Sequence, residues 1–196
     1  MRIRSLLAPA GLGAAALLAA LATAPSAVGG GSTITVGPGN SYTPANTTVA
    51  QGTTVTWTFQ GTHTTTSNQG FWNSRQQSSG SFPKTLPSAG RFPYHCTIHA
   101  GMNGSIVVPL RVTGGSAGSG LTLRWSASSA GSGRAFDVQF RRQGTTTWSP
   151  FRTNATSATG LFNPSGSGTY QLRARTSNTN AGKESGWSPV ISKQIS

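Results

Sequence analysis

The stretch Phe92-Pro93-Tyr94-His95-Cys96-Thr97-Ile98-His99-Ala100-Gly101-Met102-Asn103-Gly104-Ser105-Ile106-Val107-Val108 opens on an aromatic run and closes on a β-branched one. It predicts two strands, at 91–96 and 105–108, joined by a short loop. Cys-x-x-His-x-x-Met falls across that loop, so Cys96, His99 and Met102 can be aimed at one point. His95 adjoins Cys96 on the strand and is expected to face the other way.

Working outward, the same short alternating runs recur. Ahead of the loop they predict strands at 33–36, 47–50, 53–59 and 79–82. In 53–59, Val55, Trp57 and Phe59 share one face while Thr54, Thr56 and Thr58 share the other. That is the pattern of a half-buried antiparallel strand. Beyond Leu110, strands are expected at 121–126, 135–142, 148–153, 169–175 and 189–193, with turns at 130–133, Gly144, Gly160 and 163–168. The Gly/Ser-rich run 114–120 is a flexible loop near the join. The expected fold class is all-β, with two small sandwiches over residues 29–109 and 110–196.

Residues 1–28 have the order of a secretory signal peptide: Arg2 and Arg4, then an apolar alanine-rich run, then small residues. The competing reading is an uncleaved N-terminal anchor. A signal implies a secreted or extracytoplasmic protein of the cell envelope, with no membrane-crossing segment after its removal. Cys96 is the sole cysteine. In an oxidising compartment a lone thiol is a liability unless something sequesters it, and a metal would. A buried inert thiol or a bridge to another chain is the alternative.

Thiolate, imidazole and thioether form a soft donor set that suits copper. A plane of two imidazoles and a thiolate needs a second histidine. The chain has three, and with His95 facing away the remaining one is His63, just after the 53–59 strand. Zinc also accepts two histidines and a cysteine, but Met102 argues against it.

At this point residues 32–109 resemble the plastocyanin and amicyanin group of cupredoxins. The matching features are Thr54-Val55-Thr56-Trp57, a histidine shortly after, Tyr94-His95-Cys96-Thr97-x-His99 with a near methionine, and the closing run 104–108. The spacing from Cys96 to Met102 is the short one seen in amicyanin. The resemblance implies a Greek-key sandwich holding one type 1 copper ion. His63, Cys96 and His99 would form its plane, and Met102 would be a weak axial ligand. It also implies single-electron transfer to a redox partner rather than catalysis, with His99 near the surface as the exit. One position departs. The family often has Asn after the first histidine, tying the two ligand loops together; this chain has Thr64. That leaves the ligand set intact but unsettles the expected redox potential, which such contacts tune.

Residues 110–196 resemble a fibronectin type III domain. The resemblance rests on Leu121-Thr122-Leu123-Arg124-Trp125, on Thr169–Arg175 with Tyr170 at a tyrosine-corner position, and on Ser185-Gly186-Trp187-Ser188-Pro189. The net charge is +13, and ten of the fifteen Lys and Arg lie from Leu110 onward with both acids, Asp137 and Glu184. So basic a chain is expected to meet a redox partner through an acidic docking surface. A polyanionic envelope polymer on the C-terminal domain is a further possible partner; no specific nucleic acid is expected. Trp125, Trp148 and Trp187 are candidate sugar or base platforms, with Trp125 the one best suited to the core. Storage or delivery of copper, and adhesion with a structural metal, are the rival functions.

Overall fold

The structure is a computed structural model that describes residues 31–115 and 119–196. The expected signal peptide and the middle of the Gly/Ser-rich loop lie outside the described residues. Among the described residues there is no helix. Sixteen strands are present: β1 (Ser32–Val36), β2 (Tyr42–Thr43), β3 (Asn46–Thr48), β4 (Thr53–Phe59), β5 (Thr66–Ser67), β6 (Ser81–Leu86), β7 (Gly90–His95), β8 (Asn103–Val108), β9 (Arg111–Gly114), β10 (Leu121–Arg124), β11 (Arg134–Arg142), β12 (Ser149–Ala155), β13 (Thr159–Phe162), β14 (Gly168–Asn178), β15 (Lys183–Glu184) and β16 (Ile191–Ile195).

The first eight strands form two four-stranded sheets, ordered β2-β1-β4-β6 and β3-β8-β7-β5. Alternate residues of β4 are buried, as the threonine/apolar alternation predicts. Yet β4 is only half antiparallel: it pairs antiparallel with β6 but parallel with β1. Pairing direction depends on the path of distant chain, and alternation alone does not encode it. Trp57 and Tyr94 are fully buried and meet edge-on, 5.4 Å apart, at the centre of the core between the sheets. Such offset geometry suits aromatic rings.

The next eight strands form a second sandwich, β13-β10-β9 facing β12-β11-β14, with β15 and β16 both paired to β14. Its core centres on Trp125, Leu121, Leu123 and Leu172, all without exposure. Three expectations need correction. Gly160 lies inside β13, paired with Leu123, rather than at a turn. The bare glycine lets the Trp125 ring pack against it, 3.0 Å from where a Cβ would stand. The 79–82 strand instead runs from Ser81 through Pro83 to Leu86. Because β6 is an edge strand, a residue without an N–H is tolerated there. The last strand begins at Ile191 rather than Pro189.

The tryptophan platforms also change. Trp125 is core. Trp148 lies between the guanidinium groups of Arg141 and Arg173, at 4.6 and 4.0 Å, and Trp187 between those of Arg173 and Arg175, at 4.4 and 4.6 Å. The rings are engaged within an intramolecular cation–π ladder, so they do not stand as open stacking surfaces.

The two sandwiches are joined by backbone as well as side chains. Arg91 and Gly186 exchange two N–H···O bonds of 2.8 Å, and Ala89 N–H donates to Trp125 O at 2.7 Å. Asn178 Nδ2 donates to Gln69 O and Gly70 O, both at 3.0 Å. Within the first sandwich, Gly104 pairs with Tyr94 across β7 and β8, and any Cβ on it would collide with the Tyr94 ring. Gly104→Ala is expected to destabilise the protein by about 2–3 kcal/mol through overpacking, read from urea unfolding.

Candidate metal centre

The site sits where two connections, β4 to β5 and β7 to β8, meet at one end of the first sandwich. β7 ends at His95 and delivers Cys96 to the chain turn before β8; His63 follows β4 by four residues. His63 N–H and C=O bond to Gln77 O and N–H at 2.9 Å each, so the histidine is held as in a strand although it lies in a loop.

The donor atoms converge. His63 Nδ1 and His99 Nδ1 are 3.0 Å apart, and Cys96 Sγ is 4.0 and 3.6 Å from them. An ion about 2.0–2.3 Å from each donor would need separations of about 3.3–4 Å, and these distances bracket that requirement. His63 is 3% and Cys96 4% exposed. Burial, then the neighbouring His99, holds the His63 imidazole below its ordinary pKa, which favours the neutral, ligating form. The donor set therefore fits a soft or borderline metal ion.

The expected residues fall as follows. His63, Cys96 and His99 are brought together as a group able to hold a metal ion. Met102 is buried in the same core cluster as Cys96. Its carbonyl accepts the Cys96 N–H at 3.0 Å, and its N–H donates to His99 O at 3.4 Å. These bonds close the loop from 96 to 102 on itself. His95 stands apart, as expected, with Nδ1 2.7 Å from Asn68 Oδ1. His99 is half-buried within a loop whose Thr97, Ile98, Ala100 and Gly101 are exposed, so the second sandwich does not cover it.

Thr64 does what the sequence left unassigned. Its N–H donates to Cys96 Sγ at 3.3 Å, and its Oγ1 accepts the Thr97 N–H at 2.8 Å. Thr66 and Thr97 hydroxyls add contacts at 3.4 and 3.2 Å. A hydroxyl on this residue thus links the two ligand loops. An N–H aimed at sulfur stabilises a thiolate, since hydrogen bonding to a charged form favours it.

Two further supports escaped the sequence. Tyr42 Oη donates to Thr64 O at 2.6 Å, pinning the loop from below. Burial, then Cys96 and Tyr94, pushes the Tyr42 phenol up, so it remains a donor. Gly37, at φ +89°, passes so near His63 that a Cβ there would lie 3.1 Å from Nε2. Both act across more than twenty residues, where no local pattern points to them. The positive φ that favours glycine at position 37 is visible only in the fold.

Thr64→Val is expected to lower the stability of the metal-free protein by about 1 kcal/mol, because it removes the acceptor of the Thr97 N–H. Thr64→Ser is expected to restore most of that loss. Urea unfolding of the two variants checks both.

The chain matches no family model and no curated protein. Among solved structures it is similar to a reduced Cu(I) form of an amicyanin variant, at 25% identity and TM-score 0.37, over 40% of this chain and 82% of that one. It is also similar to a purple cupredoxin from Nitrosopumilus maritimus, at 27% identity and TM-score 0.36, over 39% and 98%. A plastocyanin variant of a fern matches at 22% identity and TM-score 0.36, over 39% and 99%.

Proposed function

We propose that this chain is an exported type 1 copper protein that carries single electrons. The observation that carries this reading is the buried cluster of two imidazole nitrogens and one thiol sulfur within 4.0 Å of one another. In this reading His63, Cys96 and His99 would hold the ion, with Met102 as a further, weak ligand; the thioether favours copper over zinc. Copper bound there would supply one-electron redox chemistry.

The chain's own part is to keep the donors from moving. The loop from 96 to 102 is closed by its own backbone bonds, and Thr64 ties it to the His63 loop. A site that barely rearranges fits electron carriage. His99 offers the route out, since small and exposed Ala100 and Gly101 beside it admit a partner closely. Both acids of the chain are engaged with Arg175, far along the sequence from the site, which favours carriage over hydrolysis. With Arg2 and Arg4 lost in the signal peptide, thirteen Lys and Arg against two acids still favour a partner with an acidic surface.

The reading extends to organisation. Residues 1–28 would be a signal peptide and 29–109 the copper domain. Residues 110–196 would be a fibronectin type III-like module. Supporting the last, Tyr170 Oη donates to Gly166 O at 2.7 Å, four residues upstream, as a tyrosine corner does. Leu110, the first residue of that block, is already packed into the second core.

Copper-loaded protein is expected to show an intense thiolate-to-copper band near about 600 nm. Cys96→Ser should abolish it; no such band in the parent protein, or its survival in the variant, would sink the type 1 assignment. Met102→Leu is expected to keep the band and change the reduction potential, read by voltammetry, because a weak thioether ligand would tune the potential.

A further inference from the structure

A cleft of about 210 Å³ opens between the two sandwiches, away from the metal centre. Phe71, Lys84 and Leu86 line it from the first sandwich; Ser126, Arg134 and Thr176 line it from the second. Its electrostatics are unbalanced. Lys84 is half-buried and has no ion pair among the described residues. Arg134 lies 4.8 Å over the Phe71 ring, and its Nη1 donates to Gly133 O and Asn178 Oδ1 at 2.8 Å each. No such bond occupies its Nε or Nη2 among the described residues. Burial lowers the pKa of both groups, and Arg134 lowers that of Lys84 further.

No acid of this chain relieves that repulsion. Asp137 and Glu184 are its only carboxylate side chains, and both pair with Arg175. Two cations facing one partly dewatered cleft without a counter-charge raise its local positive potential. The walls offer more than charge. Phe71, Phe92 and Phe136, each nearly buried, give an apolar lining, and Ser128 and Ser129 stand at its exposed rim. An apolar concave site at a junction between folded units, with a few convergent polar groups, is the usual form of a small-molecule site.

We propose that this cleft binds a small organic anion, with a carboxylate or phosphate head held by Lys84 and Arg134 and a flat apolar body against the phenylalanines. Because both sandwiches supply walls, the ligand braces the joint between them. The site is independent of the metal centre.

The test is calorimetric titration of the full-length, metal-free protein with benzoate and with phenyl phosphate. Inorganic phosphate and neutral benzyl alcohol serve as controls. One-to-one saturable binding of benzoate or phenyl phosphate is expected, with a melting temperature that rises with ligand concentration. Benzyl alcohol is expected to bind at least about tenfold more weakly than benzoate, since it lacks the charge-assisted bonds. Lys84→Gln and Ser129→Asp should each weaken benzoate at least about tenfold, the first by removing a cation and the second by setting an acid at the exposed rim. Cys96→Ser should bind benzoate unchanged, which separates this site from the proposed copper site. No saturable binding of either aromatic anion, or Lys84→Gln and Ser129→Asp binding benzoate as tightly as the parent protein, would overturn the proposal. Inorganic phosphate binding as tightly as phenyl phosphate would overturn the apolar part of it.

Discussion

Thr64 is the point on which the metal centre depends. Through one backbone N–H and one hydroxyl it fixes the sulfur of Cys96 and the amide of Thr97 relative to His63. His63 and Cys96 are 33 positions apart, in loops from opposite sheets of the sandwich. Without a bond between those loops, each could move with its own sheet, and the donor separations would change with it. The link is anchored from beneath, because Tyr42 reaches the Thr64 carbonyl and stacks edge-on against Tyr94 at 4.7 Å. The geometry of three donors is thereby tied to the packing of the aromatic core.

That core explains why the site can be small and still be held. Trp57, Trp72 and Tyr94 pack with ring centroids 5.4–5.9 Å apart directly below the ligand loops. Trp72 donates its indole N–H to Thr65 Oγ1 at 3.1 Å, adding a second tie one residue beyond Thr64. Close-packed interiors deform little, so side chains resting on them inherit their rigidity.

Charge is arranged on a different principle. The second sandwich places its arginines in cross-strand pairs with acceptors: Arg175 with Asp137, Arg173 with Gln139 at 3.0 and 2.7 Å, and Arg141 with Gln171 at 2.6 Å. Trp148 and Trp187 fill the spaces between the guanidinium groups. Most of the basic character on this face is therefore structurally engaged, and burial with the neighbouring arginines lowers the pKa of Arg173. The backbone pairing of Arg91 with Gly186 joins the sandwiches near the start of β7, whereas Cys96 follows its far end. The metal centre stays open to approach while the sandwiches remain bonded to each other.

By itself the sequence determined the all-β class, the alternating faces of β4 and the grouping of His63, Cys96 and His99. Those features are carried by period-two patterning, by short loops and by the rarity of cysteine and histidine, all of which are local or countable. It did not reveal β9, the parallel pairing of β1 with β4, or Gly160 within a strand, because pairing depends on residues far along the chain. It left Thr64 as a departure with no assigned role. Only the tertiary structure decided that role, since whether a hydroxyl can replace an amide as a link depends on how close the two loops come. The same holds for the cleft of Lys84 and Arg134: cations fifty residues apart share a site only once two sandwiches have met.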